Sequence, residues 1–292
     1  MKIAVIGAGR MGRWFANFFV NEGFSVVISD ECREKALKLK EELNVEVADN
    51  AEAVKKSDRI FICVPIENFQ KVVEEIHSYI SPEQEVMDIC SVKVLPVKIM
   101  HNYIKHAVTL GTHPMFGPGV KSVRNQNFIL TPTNSKEEKL ARDFGRWLEE
   151  KGFKVFFMTP EEHDRIMSRV IGLPYLLSYA VCDAMLSQSL FSEAKKVSGA
   201  SYKFLLTLIE AIASEDAEFA ASLQMNLPEI DIVGEKLLEK IGEWLETVRK
   251  RDRKSFIDRV KFLKSELANT DPNYAKSYET MYKMLETAKN ES

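Results

Sequence analysis

The chain has 292 residues, of which 45% are hydrophobic and 28% are charged, and its formal net charge is -3 at pH 7. This balance is typical of a folded soluble protein and excludes an intrinsically disordered chain. The slight acidic excess argues against nucleic acid as a partner, because phosphate binders usually carry a basic excess. At this length, two domains are expected.

Neither the cysteines nor the apolar segments indicate a metal, a disulfide framework or a membrane. The four cysteines are widely spaced without a CxxC pair, and no metal-ligand spacing occurs elsewhere. The longest apolar stretch, 170–186, contains Pro174, Ser178 and Asp183, whereas a membrane span needs about 20 clean apolar residues. The first residues lack a signal-like apolar run. We therefore expect a cytoplasmic protein without a metal or a membrane contact.

The first half of the chain alternates strand-like and helix-like segments. Short runs rich in Val and Ile predict strands at Lys2–Ile6, Ser25–Ser29, Arg59–Val64, Glu85–Ile89, Val108–Thr112, Phe128–Thr131 and Lys154–Phe157. Segments with helical periodicity lie between them, at Met11–Glu22, Glu34–Leu43, Ala51–Lys55, Phe69–Ile76 and Lys136–Lys151. This alternation predicts an α/β fold over residues 1–158, a Rossmann-type domain with a doubly wound parallel sheet.

Strand signals stop at about Thr159, and amphipathic helices follow. They are predicted at Glu161–Ser187, Ser201–Ala213, Ala217–Met225, Ile230–Lys250, Arg253–Leu267 and Asn273–Ala288. Residues 159–292 are therefore expected to form an all-helical C-terminal domain. The first of these helices is apolar on more than one face, and such a helix needs burial on all sides. We expect a homodimer through this domain.

The first predicted strand leads directly into a glycine-rich turn that opens a helix. Gly7 allows the tight turn, Gly9 lets a pyrophosphate approach the backbone, and Gly12 lets helix and strand pack closely. The free N–H groups and the dipole at the helix start favour an anion. This pattern predicts a dinucleotide cofactor held by Gly7, Ala8, Gly9, Arg10, Met11 and Gly12.

Asp30 follows the second predicted strand, eighteen residues after Gly12. A carboxylate there can accept hydrogen bonds from ribose hydroxyls and repels a 2′-phosphate, so it predicts NAD rather than NADP, although Arg33 could weaken that preference. Val64 and Pro65 lie at the end of another strand, at the sheet edge where such a cofactor binds. Cys63 precedes them, and we interpret it as a packing residue rather than a nucleophile.

Among the five histidines, His113 has the most suggestive setting. It follows the predicted strand Val108–Thr112 and opens a segment with two prolines and two glycines, which indicates a rigid loop at the carboxyl edge. An imidazole there can bind a substrate hydroxyl and accept its proton while hydride leaves the same carbon. We predict His113 as the catalytic base, with an ordinary loop histidine as the alternative. For His163, beside Asp164, a solvated or capping role is as consistent with the sequence as a functional one.

A second polar segment, Asp88-Ile89-Cys90-Ser91-Val92-Lys93, also follows a strand. Ser91 can hydrogen-bond a substrate hydroxyl or the nicotinamide amide, or it can cap a helix. Lys93 can offer a fixed positive charge to a carboxylate, or it can be a solvated side chain. We therefore include both residues in the predicted site.

Three motifs together resemble the prephenate dehydrogenases of tyrosine biosynthesis: GAGRMG at 7–12, DICSVK at 88–93 and GTHPMFGP at 111–118. The resemblance covers nearly the whole chain and is strongest to the enterobacterial type fused to chorismate mutase, although we expect no mutase domain before the first strand. It implies NAD-dependent oxidative decarboxylation of prephenate to 4-hydroxyphenylpyruvate. Hydride would leave ring C4, His113 would accept the hydroxyl proton, and Ser91 would bind that hydroxyl.

The resemblance also implies substrate-binding residues, at two of which this sequence departs from the family. The arginine that usually clamps a substrate carboxylate aligns with Ala211, and Lys203 stands where relatives carry another arginine. We expect Lys93, with Lys203 or Arg169, to supply the cation, because an unpaired buried carboxylate is costly. Tyr175 replaces a histidine that contacts the substrate side chain in many relatives.

These departures leave alternatives open. One alternative is that the substrate is arogenate, the amino analogue of prephenate. Another is a non-catalytic NAD-sensing regulator, which would not need the substrate-binding arginine that aligns with Ala211. A β-hydroxyacid dehydrogenase would share the first motif, but it needs a catalytic lysine on the first inter-domain helix. That segment has no lysine before Lys195, which disfavours this class.

Overall fold

The computed structural model describes residues 1–290, with side chains described up to residue 287. Within this range, eight strands form one sheet in the order β3-β2-β1-β4-β5-β6-β7-β8. The strands are β1 (Lys2–Ile6), β2 (Ser25–Ser29), β3 (Glu46–Val47), β4 (Arg59–Ile62), β5 (Glu85–Asp88), β6 (Val108–Pro114), β7 (Asn127–Thr131) and β8 (Lys154–Phe157). The strand β3 has only two residues and was not predicted.

Strands β1 to β6 are parallel, but β7 pairs antiparallel with β6, and β8 is parallel to β7. The expectation of a wholly parallel sheet is therefore wrong at this edge. The reason is the connection between β6 and β7, residues 115–126, which contains no helix. A parallel return needs a long crossover, whereas this short connection turns the chain back beside β6. As a result, His113 of β6 lies opposite Ile129 of β7.

Helices cover both faces of the sheet, as predicted for a doubly wound fold. In β1, Ile3 and Val5 pack into one buried cluster, whereas Ala4 and Ile6 pack into another, because alternate side chains leave opposite faces of a strand. The helices are α1 (Arg10–Asn21), α2 (Arg33–Leu43), α3 (Asn50–Lys55), α4 (Ile66–Ile76), α5 (Val94–Tyr103) and α6 (Ser135–Glu150). The sequence patterns did not predict α5.

The second half of the chain is helical, as expected. Its helices are α7 (Pro160–Met167), α8 (Leu173–Leu186), α9 (Phe191–Lys196), α10 (Ala200–Ala213), α11 (Ala217–Asn226), α12 (Ile230–Arg249), α13 (Arg253–Thr270) and α14 (Ser277–Asn290). A π-helical segment, Ser168–Gly172, separates α7 from α8. One compact unit comprises Met1–Met167 with Ala221–Pro228, and the other comprises Ser168–Ala220 with Glu229–Ser292. The structural division thus follows Met167, later than the sequence pattern suggests.

Helix α8 is apolar, and most of its residues are half-buried. The stretch Pro160–Leu186 is long and apolar enough to cross a membrane by length and composition alone. Only 11% of its most apolar window is buried inside the protein. In this fully described helix, Ser178 is the one buried residue. A single such helix is weak support for a membrane span, and large exposed apolar surfaces are also typical of subunit interfaces.

Candidate active site

The glycine-rich turn has the geometry that its sequence predicts. Gly7 has a φ of +107°, and a Cβ there would lie 2.5 Å from the carbonyl oxygen of Cys63. A Cβ on Gly12 would lie 1.9 Å from the carbonyl oxygen of Gly7. At Gly9, by contrast, a Cβ would have no described atom within 4 Å. Two glycines are therefore required by the protein itself, while the third leaves open space beside the turn.

Asp30 stabilises this turn from the end of β2. Its Oδ2 atom accepts a hydrogen bond from the backbone N–H of Ala8 at 2.6 Å, and its Oδ1 atom accepts one from Cys32 at 2.8 Å. The remaining carboxylate lone pairs can still accept hydrogen bonds from a ribose. The carboxylate therefore lies against the second residue of the glycine-rich turn, as a dinucleotide site requires.

The other predicted cofactor residues adjoin the same turn in sequence or in space. Arg10 and Met11 form the first turn of α1, whose N-terminal cap is Gly9. A Cβ on Gly7 would approach Val64 Cγ1 to 3.1 Å, and Pro65 caps α4. The open side of Gly9, the helix start and the nearby carboxylate fit a dinucleotide whose pyrophosphate lies against the N-terminus of α1.

His113 lies within β6, near its carboxyl end, rather than in the loop that follows. Its side chain is buried, with 4% of its surface exposed. Its Nδ1 atom lies 2.8 Å from Nε2 of His163. Burial holds the pKa of His113 well below its usual value of 6.5, and the electrostatic effects of the neighbouring His163 and Lys93 act in the same direction. The imidazole is therefore neutral at neutral pH and is able to accept a proton.

His163 and Asp164 lie in α7 and are both buried. The Nδ1 atom of His163 lies 2.7 Å from Oδ1 of Asp164. Burial lowers the pKa of His163, and the charge of Lys93 lowers it further. The hydrogen bond to Asp164 raises the pKa but does not outweigh these effects. The structure thus brings these residues to His113, although sequence reasoning left the role of His163 undecided.

Lys93 does not offer its charge to a substrate in this structure. Its side chain is completely buried, and its ammonium group forms an ion pair with Asp88. It also donates a hydrogen bond to the carbonyl oxygen of Thr112 at 2.5 Å. Its charge is thus paired between β5 and β6, which does not favour a contact of Lys93 with a substrate carboxylate, and that contact stays a prediction. The partner of the Lys93 ammonium group is Asp88, to which the sequence analysis assigned no role.

Ser91 lies in the segment between β5 and α5 and is half-buried. It does not cap α5, because that position belongs to Lys93. Its hydroxyl thus remains a candidate for contact with a substrate. Cys63 and Cys90 follow the ends of β4 and β5, and burial raises the pKa of both thiols, which disfavours the reactive thiolate form.

The remaining predicted substrate residues belong to the helical unit. Tyr175 is half-buried, its ring packs against Tyr179, and burial together with the charge of Glu215 raises its pKa. Lys203 is exposed on α10, and Ala211 is exposed on the same helix.

Arg169 is half-exposed and forms an ion pair with Glu229 at 2.7 Å. A substrate carboxylate would therefore compete with Glu229 for this guanidinium group.

A surface groove of about 630 Å³ lies elsewhere in the first unit. It runs along the outer face of α1 and the end of α2, and the segment Pro118–Val123 completes it. Arg10 is the predicted cofactor residue among its lining side chains, whereas His113 and Ser91 do not line it. The groove therefore does not contain His113, the predicted proton acceptor.

Comparison with known families decides which class of protein carries this site. The model of the nucleotide-binding domain of prephenate dehydrogenase matches residues 15–157, and the model of its dimerization domain matches residues 159–262. The chain belongs to the prephenate dehydrogenase family. Its N-terminal domain is therefore a nucleotide-binding domain, and its helical domain is a dimerisation domain.

Individual relatives agree with this assignment. The chain is 32% identical over 268 residues to a probable arogenate/prephenate dehydrogenase of Methanocaldococcus jannaschii, covering 89% of this chain and 60% of the relative. It is 27% identical over 261 residues to the T-protein of Haemophilus influenzae, covering 88% and 64%. The chain thus spans about three-fifths of the length of these relatives.

Solved structures show the same fold. A prephenate dehydrogenase from A. aeolicus, crystallised with hydroxyphenyl propionate and NAD+, superposes with a TM-score of 0.78 at 21% identity, covering 93% of this chain and 98% of that one. The arogenate dehydrogenase of Synechocystis superposes with a TM-score of 0.72 at 19% identity, covering 94% and 99%.

Proposed function

We propose that this chain catalyses the NAD-dependent oxidative decarboxylation of prephenate to 4-hydroxyphenylpyruvate. The observation that carries the proposal is the position of His113, a buried neutral imidazole at the carboxyl end of β6, in a nucleotide-binding domain of this family. An oxidation of an alcohol needs a group that removes the hydroxyl proton as hydride leaves. His113 is the group in this domain whose protonation state and position suit that task.

The reaction divides between cofactor and protein. The chemistry that NAD supplies when bound is acceptance of a hydride from the ring carbon that carries the hydroxyl. The protein binds the hydroxyl, through Ser91 and His113, and His113 accepts its proton. The ring carboxylate then leaves as carbon dioxide, the electron pair of the broken C–C bond passes through the ring to its oxygen, and that oxygen takes the proton back from His113. Formation of the aromatic ring favours this step. Burial of His113 keeps the imidazole neutral until the substrate delivers the proton.

The substrate carries carboxylates, so the site needs cations, and the neutral His113 does not supply one. With Lys93 paired to Asp88, the proposed cations are Lys203 and Arg169 of the helical domain. Neither side chain is buried. Arg169 would have to exchange its ion pair with Glu229 for the substrate carboxylate. A lysine cannot reproduce the paired hydrogen bonds of an arginine, so Arg169 is better suited to a carboxylate than Lys203.

The direct test mixes the purified chain with NAD and prephenate and follows NADH absorbance. His113→Asn is expected to lower kcat by about 10²- to 10⁴-fold, because general base help of this size is lost. Its NAD affinity, measured by calorimetry, should stay unchanged. His106→Asn is the matched control, because His106 is exposed. Full activity of His113→Asn would contradict the proposed role, and NAD binding without turnover of any substrate would support a sensing regulator.

Arogenate is the second candidate substrate, and one observation favours it. Burial raises the pKa of Tyr175, and the negative charge of the neighbouring Glu215 raises it further. If Tyr175 contacts the substrate side chain, a neighbouring negative charge favours the ammonium group of arogenate over the keto group of prephenate. Glu215→Gln is then expected to raise the ratio of kcat/KM for prephenate over arogenate. The exposed Glu218 provides the control, Glu218→Gln, which should leave that ratio unchanged.

We also propose that the chain forms a homodimer through its helical domain. The support is the match to a dimerization domain and the apolar, only half-buried side chains of α8. A second copy of the same helix offers a complementary apolar surface, as two-fold symmetric interfaces require.

A further inference from the structure

His163 contacts the proposed base, His113, and Asp164 contacts His163. Neither of these two buried residues has a direct part in the proposed reaction. We propose that these two side chains are positioning residues that hold His113 in the tautomer with a proton on Nδ1, leaving the Nε2 lone pair for the substrate hydroxyl. The inference deepens the proposed function, and it rests on contacts within one compact unit of the chain.

The direction of each hydrogen bond follows from the chain of donors and acceptors. A carboxylate can only accept, so Nδ1 of His163 donates its proton to Asp164 across 2.7 Å. A neutral imidazole carries one N–H, so Nε2 of His163 must accept. Across the 2.8 Å contact, Nδ1 of His113 is therefore the donor. The lone pair of His113 is thus at Nε2.

The Nε2 atom of His113 is open to a ligand. None of the hydrogen bonds of the described residues involves this atom. Among the same residues, every fully buried side-chain nitrogen or oxygen has a hydrogen-bond partner. The atom is therefore not fully buried, which is what a base that receives a proton from a small molecule requires.

The same pair can stabilise the positive charge that His113 gains. The charged groups around the two imidazoles are Asp164, Lys93 and Asp88. The Lys93 ammonium opposes protonation, but its ion pair with Asp88 neutralises part of that effect. The Asp164 carboxylate, acting through His163, favours the protonated base. The pair therefore both orients His113 and lowers the cost of the proton transfer.

Asp164 also orders the segment that carries Ser91. Its Oδ1 atom accepts a hydrogen bond from the backbone N–H of Lys93 at 2.6 Å, and its Oδ2 atom accepts one from Val94 at 2.9 Å. These N–H groups belong to the cap and first residue of α5, which need an acceptor. One carboxylate thus fixes both the base and the start of the helix that follows Ser91.

The first experiment is nitrogen NMR of the resting protein labelled with 15N-histidine, with His113 assigned from the spectrum of His113→Asn. The expected result is a protonated Nδ1 and an unprotonated Nε2 on His113 at neutral pH. A proton on Nε2 instead would overturn the proposal. Because this measurement needs no substrate, its outcome is independent of whether prephenate or arogenate is turned over.

The second experiment compares three variants. His163→Leu removes the acceptor and is expected to lower kcat by about 10²-fold or more, with a mixed His113 tautomer and unchanged NAD affinity. His163→Gln can still accept from His113 and donate to Asp164, so its loss should stay within about tenfold. His101→Leu breaks a comparable pair, His101–Glu137 at 2.6 Å, and should leave kcat and the His113 tautomer unchanged.

A His163→Leu variant that folds and keeps a wild-type kcat would overturn the proposal. If that variant does not fold, the tautomer of the wild-type protein still decides. A wild-type protein with the expected tautomer but no turnover would count against the proposed function and not against the pairing of His113 with His163.

Discussion

The ammonium group of Lys93 and the carboxylate of Asp88 form an ion pair in which both side chains are completely buried. Asp88 also accepts backbone hydrogen bonds from Cys90 at 2.8 Å and Thr112 at 3.3 Å. The pair therefore joins the carboxyl ends of β5 and β6, directly beside His113. Its contacts indicate a role in holding these two strand ends together.

Lys93→Met is accordingly expected to destabilise the protein. It leaves the Asp88 charge buried without its cation, which costs about 3–5 kcal/mol in comparable pairs. Denaturant unfolding measures the loss, and Lys98→Met on the exposed side of α5 is the control. A Lys93→Met variant with wild-type stability and a raised KM for the substrate alone would restore the direct substrate contact that the sequence suggested.

The three glycines of the turn should separate stability from cofactor binding. Gly12→Ala is expected to cost about 1–3 kcal/mol, because its Cβ would lie 1.9 Å from a backbone oxygen. Gly9→Ala should keep the wild-type Tm, since no described atom lies within 4 Å of its Cβ, yet lower NAD affinity by about tenfold or more.

Gly242, inside α12 and also without a described atom within 4 Å of its Cβ, provides the control. Gly242→Ala should raise stability by about 0.5–1 kcal/mol and leave NAD binding unchanged, because alanine favours a helix interior. If Gly9→Ala binds NAD as tightly as the wild type, the pyrophosphate does not approach the backbone at this position.

The pair formed by His101 and Glu137 should make stability depend on pH. The hydrogen bond to Glu137 raises the pKa of His101 above 6.5, although burial opposes it. Burial alone would raise the pKa of Glu137, but hydrogen bonds from His101 and Thr133 outweigh it and lower the pKa. The His101 contribution is therefore fully present below about pH 6.5 and is lost as pH rises through its folded-state pKa.

The Glu137 contribution has the opposite dependence, since it is present above the unfolded-state pKa and lost as pH falls through the folded-state pKa. The difference in Tm between wild type and His101→Gln should thus be larger at about pH 5.5 than at about pH 8.5. His106→Gln is the control, because His106 is exposed. An equal difference at both pH values would show that the ion pair does not contribute to stability.

The proposed homodimer predicts a mass twice that of the chain in sedimentation over about 1–100 µM. Leu186, at the end of α8, has 62% of its surface exposed, and Leu186→Lys is expected to shift the equilibrium toward the monomer if this face is the interface. Leu37→Lys on α2 places the same charge on the other domain and should leave the mass unchanged. A monomeric wild type throughout this range would contradict the proposal.

Local patterns sufficed for much of the fold and for the geometry of the glycine-rich turn. The apolar run Lys2–Ile6 followed by Gly7, Gly9 and Gly12 predicted a strand, a turn and a helix start, because glycine geometry and strand periodicity act over a few neighbouring residues. The histidine at position 113 was likewise found from the residues beside it.

Where the hydrophobic periodicity of a helix was weak, as in α5, the sequence did not predict the helix. Helix α5 begins with Val94-Leu95-Pro96, and the side chain of its N-cap residue, Lys93, makes no capping hydrogen bond. Its N-terminal N–H groups instead bond to Asp164, about seventy residues later in the chain. A helix stabilised from such a distance leaves little trace in its own sequence.

The sequence by itself determined the doubly wound class, the dinucleotide turn and the histidine at the strand end, since each depends on residues adjacent in the chain. Only the tertiary structure decided that Lys93 pairs with Asp88 rather than facing a ligand, and that His163 and Asp164 lie behind His113. The physical reason is burial: removing these polar groups from water makes each of them require a partner, and folding, not sequence proximity, selects which partner is within reach.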